Sequence, residues 1–302
     1  MVRVATIPMH RTLFDAIGKS QLRLAEAQQQ MATGKKATTF AALGSEAVRT
    51  LSTHSLLARQ EAEKIVATRL QSTLALVDAH LASTEIAADT LRTQLLKAIG
   101  EGRTDGLQGK IEESFQAFRV AMNADEGGAP LFAGAQSGLP FNATALADTV
   151  GMTTADAFAN DQVKASARLA DGLDVTYGVL ASDAGGAIFE AFRTLAESGS
   201  FDNTPTAAQT AAMQAGVDRL NAGLKEVRNQ LTANGQRQAQ AETLADRAGQ
   251  RSLILQDILA QNEDADMAQV AGELKLRQTA LEASYAVFAR LSGLSLVNYL
   301  PN

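Results

Sequence analysis

The sequence predicts a mainly α protein, a long antiparallel helical coiled-coil bundle built from both chain ends, with a small α+β insert in the middle. Three observations predict it. Apolar residues recur at alternating steps of four and three in both halves of the chain, which is the period of a helical seam. The composition is 46% hydrophobic but only 5% aromatic, with no Trp and five Pro in 302 residues, a mix that suits long helices packed closely through Ala and Leu. Gly, Pro and short β-branched runs gather between the two periodic halves, in residues 124–206.

The first helix runs to Gly34, with Leu13, Ile17, Leu24 and Met31 on one face and Phe14 and Ala27 beside them. Gly34 is a C-terminal stop, and Lys35-Lys36 suit the negative end of the helix dipole. A long helix from about Ser45 to Gly100 carries the seam Leu70, Leu74, Val77, Leu81, Thr84, Ala88, Leu91, Leu95, Ala98. Gly100, Gly102 and Gly106 break it, and a shorter helix follows over 108–123.

In the insert, 163–169 and 173–178 read as a hairpin across Ala170-Asp171-Gly172, and 187–198 returns to helix. Gly127-Gly128, Pro130, Pro140, Gly185-Gly186 and Pro205 mark its irregular parts. The second long helix keeps the seam through Met213, Val217, Leu220, Leu224, Val227 and Leu231, then continues past Asn234-Gly235 to Leu259. Asn234 reads either as a register-setting polar residue in the seam or as a local break. The closing helix, begun by Asp264 and Asp266, carries Ala271, Leu274, Leu281, Tyr285, Phe288 and Leu291 on one stripe. The order is nearly symmetric about the insert, so the long helices pair with each other and the terminal helices pair with each other. The expected domains are 1–40 with 262–302, 41–128 with 206–261, and the insert 129–205.

Composition narrows the function. A net charge of −6 argues against a nucleic-acid partner. No apolar run approaches the ~20 residues of a membrane span, and the first residues lack the apolar core of a cleavable signal. Residues 1–36 carry a net +4 and residues 262–302 a net −2, which favours pairing of the two ends. A basic amphipathic first helix could lie on a membrane surface, but a matching terminal partner makes that the lesser reading, and no membrane partner is expected. With no Cys, disulfides and thiolate zinc sites are impossible. His10, His54 and His80 have no metal partner four residues on, the Gly pairs lack a following Gly-Lys-Ser/Thr, and no nucleophile elbow is present. No catalytic, cofactor-binding or metal residues are expected, and the chain does not read as an enzyme.

The residues then suggest a family. EDADMAQVAGELKLRQTALEASYAVFARLSGLSL, residues 263–296, resembles the C-terminal helix of the bacterial flagellins. ATGKKATT (32–39) is similar to the Gly-Lys-Arg turn that ends their N-terminal helix. LFAGAQSGLPF (131–141) and the ending SLVNYL look most like the hook-associated members of that family. One departure stands out: where the family places Asp-Asp-Pro after the turn, this chain has FAALGSEA (40–47).

The resemblance implies a structural subunit of the flagellum that joins hook to filament by packing of terminal helices. It implies export without a cleaved signal and an extracellular location. The implied partners are other copies, flagellin, a neighbouring hook-associated protein, and the export apparatus with its chaperone. It also implies terminal segments that gain their partners on assembly, with Leu13, Ile17, Leu24, Met31, Leu274, Leu281, Tyr285, Phe288 and Leu291 as the assembly residues. A short filament flagellin is the nearest alternative, and a cytoplasmic helical adaptor the more distant one.

Overall fold

A computed structural model describes the backbone of residues 6–297 except 171, 202 and 203, and the side chains of 11–290 with the same exceptions. It is mainly α. Helix α1 spans Thr6–Thr33, a 3-10 helix Phe40–Glu46, α2 Ala47–Glu101 and α3 Leu107–Met122. The insert follows with strands β1 (Asp125–Glu126) and β2 (Ala129–Pro130), the short helix α4 (Thr154–Ala157), strands β3 (Ser166–Ala170) and β4 (Leu173–Thr176), and helix α5 (Ala181–Glu197). Helices α6 (Ala207–Glu263) and α7 (Met267–Val297) close the chain. Both pairs of strands are antiparallel hairpins. The chain divides into two compact units, one of Met1–Arg59 with Arg251–Asn302 and one of Gln60–Gln250.

In the second unit, every seam residue from Leu70 to Ala98 is buried, and Met213, Val217, Leu220, Leu224 and Val227 face them in the core. The pairing of α2 with α6 is antiparallel. Arg92 reaches Asn221, Arg228 reaches Glu85 and Asn234 reaches the Leu74 carbonyl, so advancing along one helix means retreating along the other. Asn234 is fully buried, its Nδ2 donates to Leu74 O at 2.8 Å, and α6 continues through it. Asn234-Gly235 is therefore no break: the side chain finds a backbone acceptor on the facing helix, and Gly235 sits in the helix.

Beside this seam lies an aromatic core. Phe115 and Phe118 of α3, Phe189 and Phe192 of α5, and Phe141 and Phe158 between them are all buried, and their ring pairs lie 5.2–6.1 Å apart at mostly steep angles. Gly185-Gly186, read from sequence as irregular, lie inside α5, which begins at Ala181 rather than 187. The cause is packing. A Cβ on Gly185 would stand 2.9 Å from the Phe118 ring and 3.1 Å from Met122 Sδ, so the bare backbone lets α5 sit against α3. Gly223 does the same for α6 against Ile188.

The 131–141 segment is shaped by Gly134, whose φ of +72° favours glycine. Beside that turn Asp161 Oδ1 accepts from the amides of Ala135 and Val163, at 3.0 and 2.9 Å. These bonds, that of Ala135 first, hold the Asp161 carboxyl below its ordinary range. At the end of the segment, Asn123 bonds both backbone groups of Phe141, each at 2.9 Å. The β3–β4 hairpin lays Leu169 and Val175 on Ala67, Leu70, Leu74, Ala241 and Ala245. It is shorter than the sequence suggests, starting at Ser166, and Asp171 of its turn lies outside the described residues.

Candidate assembly surface

The first unit pairs α1 with α7. The chain directions oppose each other: Phe14 meets Phe288 edge to face at 5.0 Å, Arg277 donates to Arg23 O at 2.6 Å, and Lys35 meets Asp264 at 2.6 Å. Ile17 and Ala27 of α1 and Val270 of α7 are buried in this seam. Leu13, Leu24, Met31, Leu274, Leu281 and Phe288 are half-buried, and Tyr285 is exposed, with its hydroxyl bonded by Gln21 Nε2. Leu291 lies on α7, but its side chain is outside the described residues.

The sequence stripes thus meet each other within one chain. The resemblance implies termini that wait for a neighbour; here each terminal helix already has the other as its partner, because a period near 3.5 on both brings the two stripes together. What the seam leaves uncovered is a second set of apolar side chains. Leu22 is 67% exposed, Leu276 71%, Phe14 58% and Val287 50%. Leu276 and Val287, eleven residues apart, share one side of α7 after about three turns. An apolar groove of about 220 Å³ runs beside the seam, lined by Leu13, Ala16, Ile17, Ala283, Ser284 and Val287. Farther along the same unit, Val48 and Leu51 of α2 and Leu253 and Ile254 of α6 are also exposed. Stripe counting missed Leu22, Leu276 and Val287 because they fall off the dominant period; their signal was the presence of large apolar residues at positions the seam does not need.

A clasp closes the inner end of the pair. Gly34, at φ +70°, ends α1 with its N–H on Gln30 O, and Lys35 then bridges Asp264 in a single antiparallel pair. Lys36 N donates to Glu263 O at 2.6 Å and Ala265 N to Gly34 O at 2.8 Å. Lys35 Nζ lies 2.6 Å from Asp264 and 3.3 Å from Glu263, and the hydrogen bond it donates to Asp264 holds the ammonium above its ordinary range, against a smaller desolvation effect. Asp266 caps α7 by accepting from the amides of Ala268 and Gln269 at 2.9 and 3.1 Å. So Lys35 acts through a carboxylate partner from the far end of the chain rather than as a helix-end charge. Beyond the clasp, Thr39 caps the 3-10 helix, and Gly44 kinks it at φ +59°.

Among the described residues, no group of three or more His, Asp or Glu side chains is placed to hold a metal ion, and no helix is long and apolar enough to cross a membrane.

No protein-family model and no curated protein matches the chain. Solved structures do. A protein of Vibrio parahaemolyticus assigned to the flagellar hook-associated proteins superposes with a TM-score of 0.60 at 15% identity, over 72% of this chain and 97% of that one. FlgL of Bacillus cereus superposes with a TM-score of 0.57 at 15% identity, over 69% of this chain and 99% of that one. The fold of this chain is the fold of those two proteins.

Proposed function

We propose that this chain is a structural subunit of the bacterial flagellum that joins hook to filament by packing its terminal helices against those of other copies. The observation that carries the reading is the shared fold, which takes in nearly the whole length of both flagellar proteins. The uncovered apolar side chains of α1 and α7 supply the means. Leu22, Leu276 and Val287 each leave half or more of their surface in water within one chain, and large exposed apolar patches mark association sites.

The immediate partners are other copies, with flagellin on one side of the layer and a neighbouring hook-associated protein on the other. The protein acts outside the cell and leaves it through the flagellar export apparatus with a chaperone, without a cleaved signal. Its role is mechanical rather than enzymatic.

Immunogold labelling of isolated intact flagella tests this. A single spot where hook meets filament is the expected result. Label along the whole filament would make the chain a short flagellin. Protein found inside flagellated cells, with none on accessible flagella, would defeat the flagellar reading and leave a helical adaptor.

A further inference from the structure

Asn234-Gly235 is the one Asn-Gly pair in the 302 residues, and nothing in the fold requires its glycine. Gly235 lies inside α6, its φ is not positive, and a Cβ there would meet nothing within 4 Å. A helical glycine costs stability relative to Ala. What the pair carries instead is chemistry. The amide nitrogen of a glycine, uncrowded by a Cβ, reaches the side-chain carbonyl carbon of a preceding Asn more readily than that of any other residue.

We propose that Asn234 is a self-modification site gated by the α2–α6 seam, open in the unfolded chain and shut in the folded one. Gly235 N attacks Asn234 Cγ and gives its proton to base in the solvent. The Cγ–Nδ2 bond breaks, and the nitrogen leaves as ammonia with a proton from water. A five-membered cyclic imide remains. Water then adds to one of its two carbonyls, which leaves either aspartate or its β-linked isomer at 234. The net change consumes one water and releases one ammonia, and nothing is oxidised or reduced.

Folding blocks each part of this. In an α-helix the Gly235 N–H is taken up by the Leu231 carbonyl, and Asn234 ψ sits in the helical well. Ring closure requires both to be given up. The carboxamide is also pinned across the seam. Its Nδ2 donates to Leu74 O at 2.8 Å, and Gln238 Nε2 donates to the same oxygen at 3.0 Å. Asn234 is 0% exposed, so water and base are kept from it.

Once made, the product opposes the seam. A carboxylate only accepts. In place of Nδ2 it would turn an oxygen toward the Leu74 carbonyl, another acceptor, in a site sealed from water. A buried charge without a partner is costly. The β-linked isomer also inserts a main-chain methylene into α6. The position matters, because Asn234 stands between Val227 of one buried cluster and Ala241 of the other. The pair therefore records time spent unfolded, and a chain that waits long carries a weakened seam. This rests on the seam alone, whatever the chain assembles with.

The test follows the full chain at a single pH and temperature, in buffer and in guanidinium chloride, by mass spectrometry of the tryptic peptide 229–237. That peptide also holds Asn229, exposed and followed by Gln230, as an internal standard. In denaturant, Asn234 should convert well ahead of Asn229. In buffer it should convert at least about a hundredfold more slowly, since a buried seam residue reacts only from its opened fraction. Gly235→Ala, which the fold accepts, should abolish most of the conversion in denaturant by crowding the attacking nitrogen. Asn234→Asp supplies one product directly and should unfold at a lower denaturant concentration than wild type. Conversion in buffer within about tenfold of that in denaturant would overturn the gate. So would an Asn234 no faster than Asn229 in denaturant. An Asn234→Asp chain with the wild-type unfolding midpoint would overturn the weakened seam.

Discussion

Leu276→Gln separates the fold of one chain from the assembly of many. Leu276 sits on α7 with 71% of its surface in water. Gln has nearly the same helix propensity as Leu, so α7 should form equally well. An exposed substitution away from caps and cores typically changes stability by less than about 0.5 kcal/mol. In an assembled layer, burying a whole Leu is worth about 1.5–3 kcal/mol. The share still available at Leu276 is therefore about 1–2 kcal/mol per copy, or roughly a 5–30-fold weaker hold on each subunit. The assay has two arms. Thermal melts of purified wild type and variant should coincide. In cells, the ratio of protein kept on flagella to protein released into the medium should fall by roughly that factor. An unchanged ratio would refute the claim that this face is covered on assembly. A melt lowered by several degrees would show that Leu276 already packs within the chain, and the magnitude above would be void.

Two glycines of α6 should respond in opposite ways to the same change. Gly223→Ala places a Cβ 2.5 Å from Ile188 Cγ1 and should destabilise despite a propensity gain, since overpacking costs about 1–3 kcal/mol; Gly235→Ala meets nothing within 4 Å and should stabilise by about 0.5–1 kcal/mol. Urea unfolding of the two variants decides it, and equal midpoints would contradict the close approach of α5 and α6. Gly134→Ala forces a side chain into φ +72° and a Cβ 2.1 Å from Asp161 Oδ1, so it should cost at least about 1–2 kcal/mol by the same measurement. The depressed Asp161 carboxyl, held by the amides of Ala135 and Val163, contributes stability above its ordinary value near pH ~4 that is lost as pH falls through its lower folded value. Acid titration of the Ala135 and Val163 amide signals should follow that loss, and Asp161→Asn should remove it. Leu281→Ala, at a half-buried seam position, should loosen the α1–α7 pair and raise exchange at neighbouring amides of both helices, whereas Leu276→Gln should not.

Where the sequence was legible, period was the reason. The seam from Leu70 to Ala98 and its counterpart from Met213 to Leu231 lie on long helices whose burial repeats every seven residues, so counting located them. Gly185 was harder, because a glycine signals irregularity only when nothing across the way requires its lack of a side chain. At Gly185 the Phe118 ring, distant in sequence, decides the matter. The terminal stripes were legible as stripes, but not their occupant: the same pattern serves a partner in the chain or one in another copy. Leu276 and Val287 become informative only once Leu274, Leu281 and Phe288 are seen to be engaged. The contacts of Glu263 with His54 and Lys35 left almost no trace, since single polar residues 209 and 228 positions from their partner form no local motif.

Those separations have a consequence for timing. Lys35 waits for a partner 229 residues later, and Gln21 for one 264 residues later. At typical synthesis rates of about 5–20 residues per second, α1 spends roughly 10–50 s without α7. Closing so long a loop costs only slightly more than closing a short one, because the entropy grows with the logarithm of length, so the delay comes from waiting rather than from a thermodynamic barrier. The second unit waits less long, since Leu74 meets Asn234 after 160 residues and Glu85 meets Arg228 after 143. A nascent chain therefore presents a basic amphipathic helix, unpaired, for nearly the whole of its production, and anything that must recognise that helix before the molecule closes has this interval in which to do so.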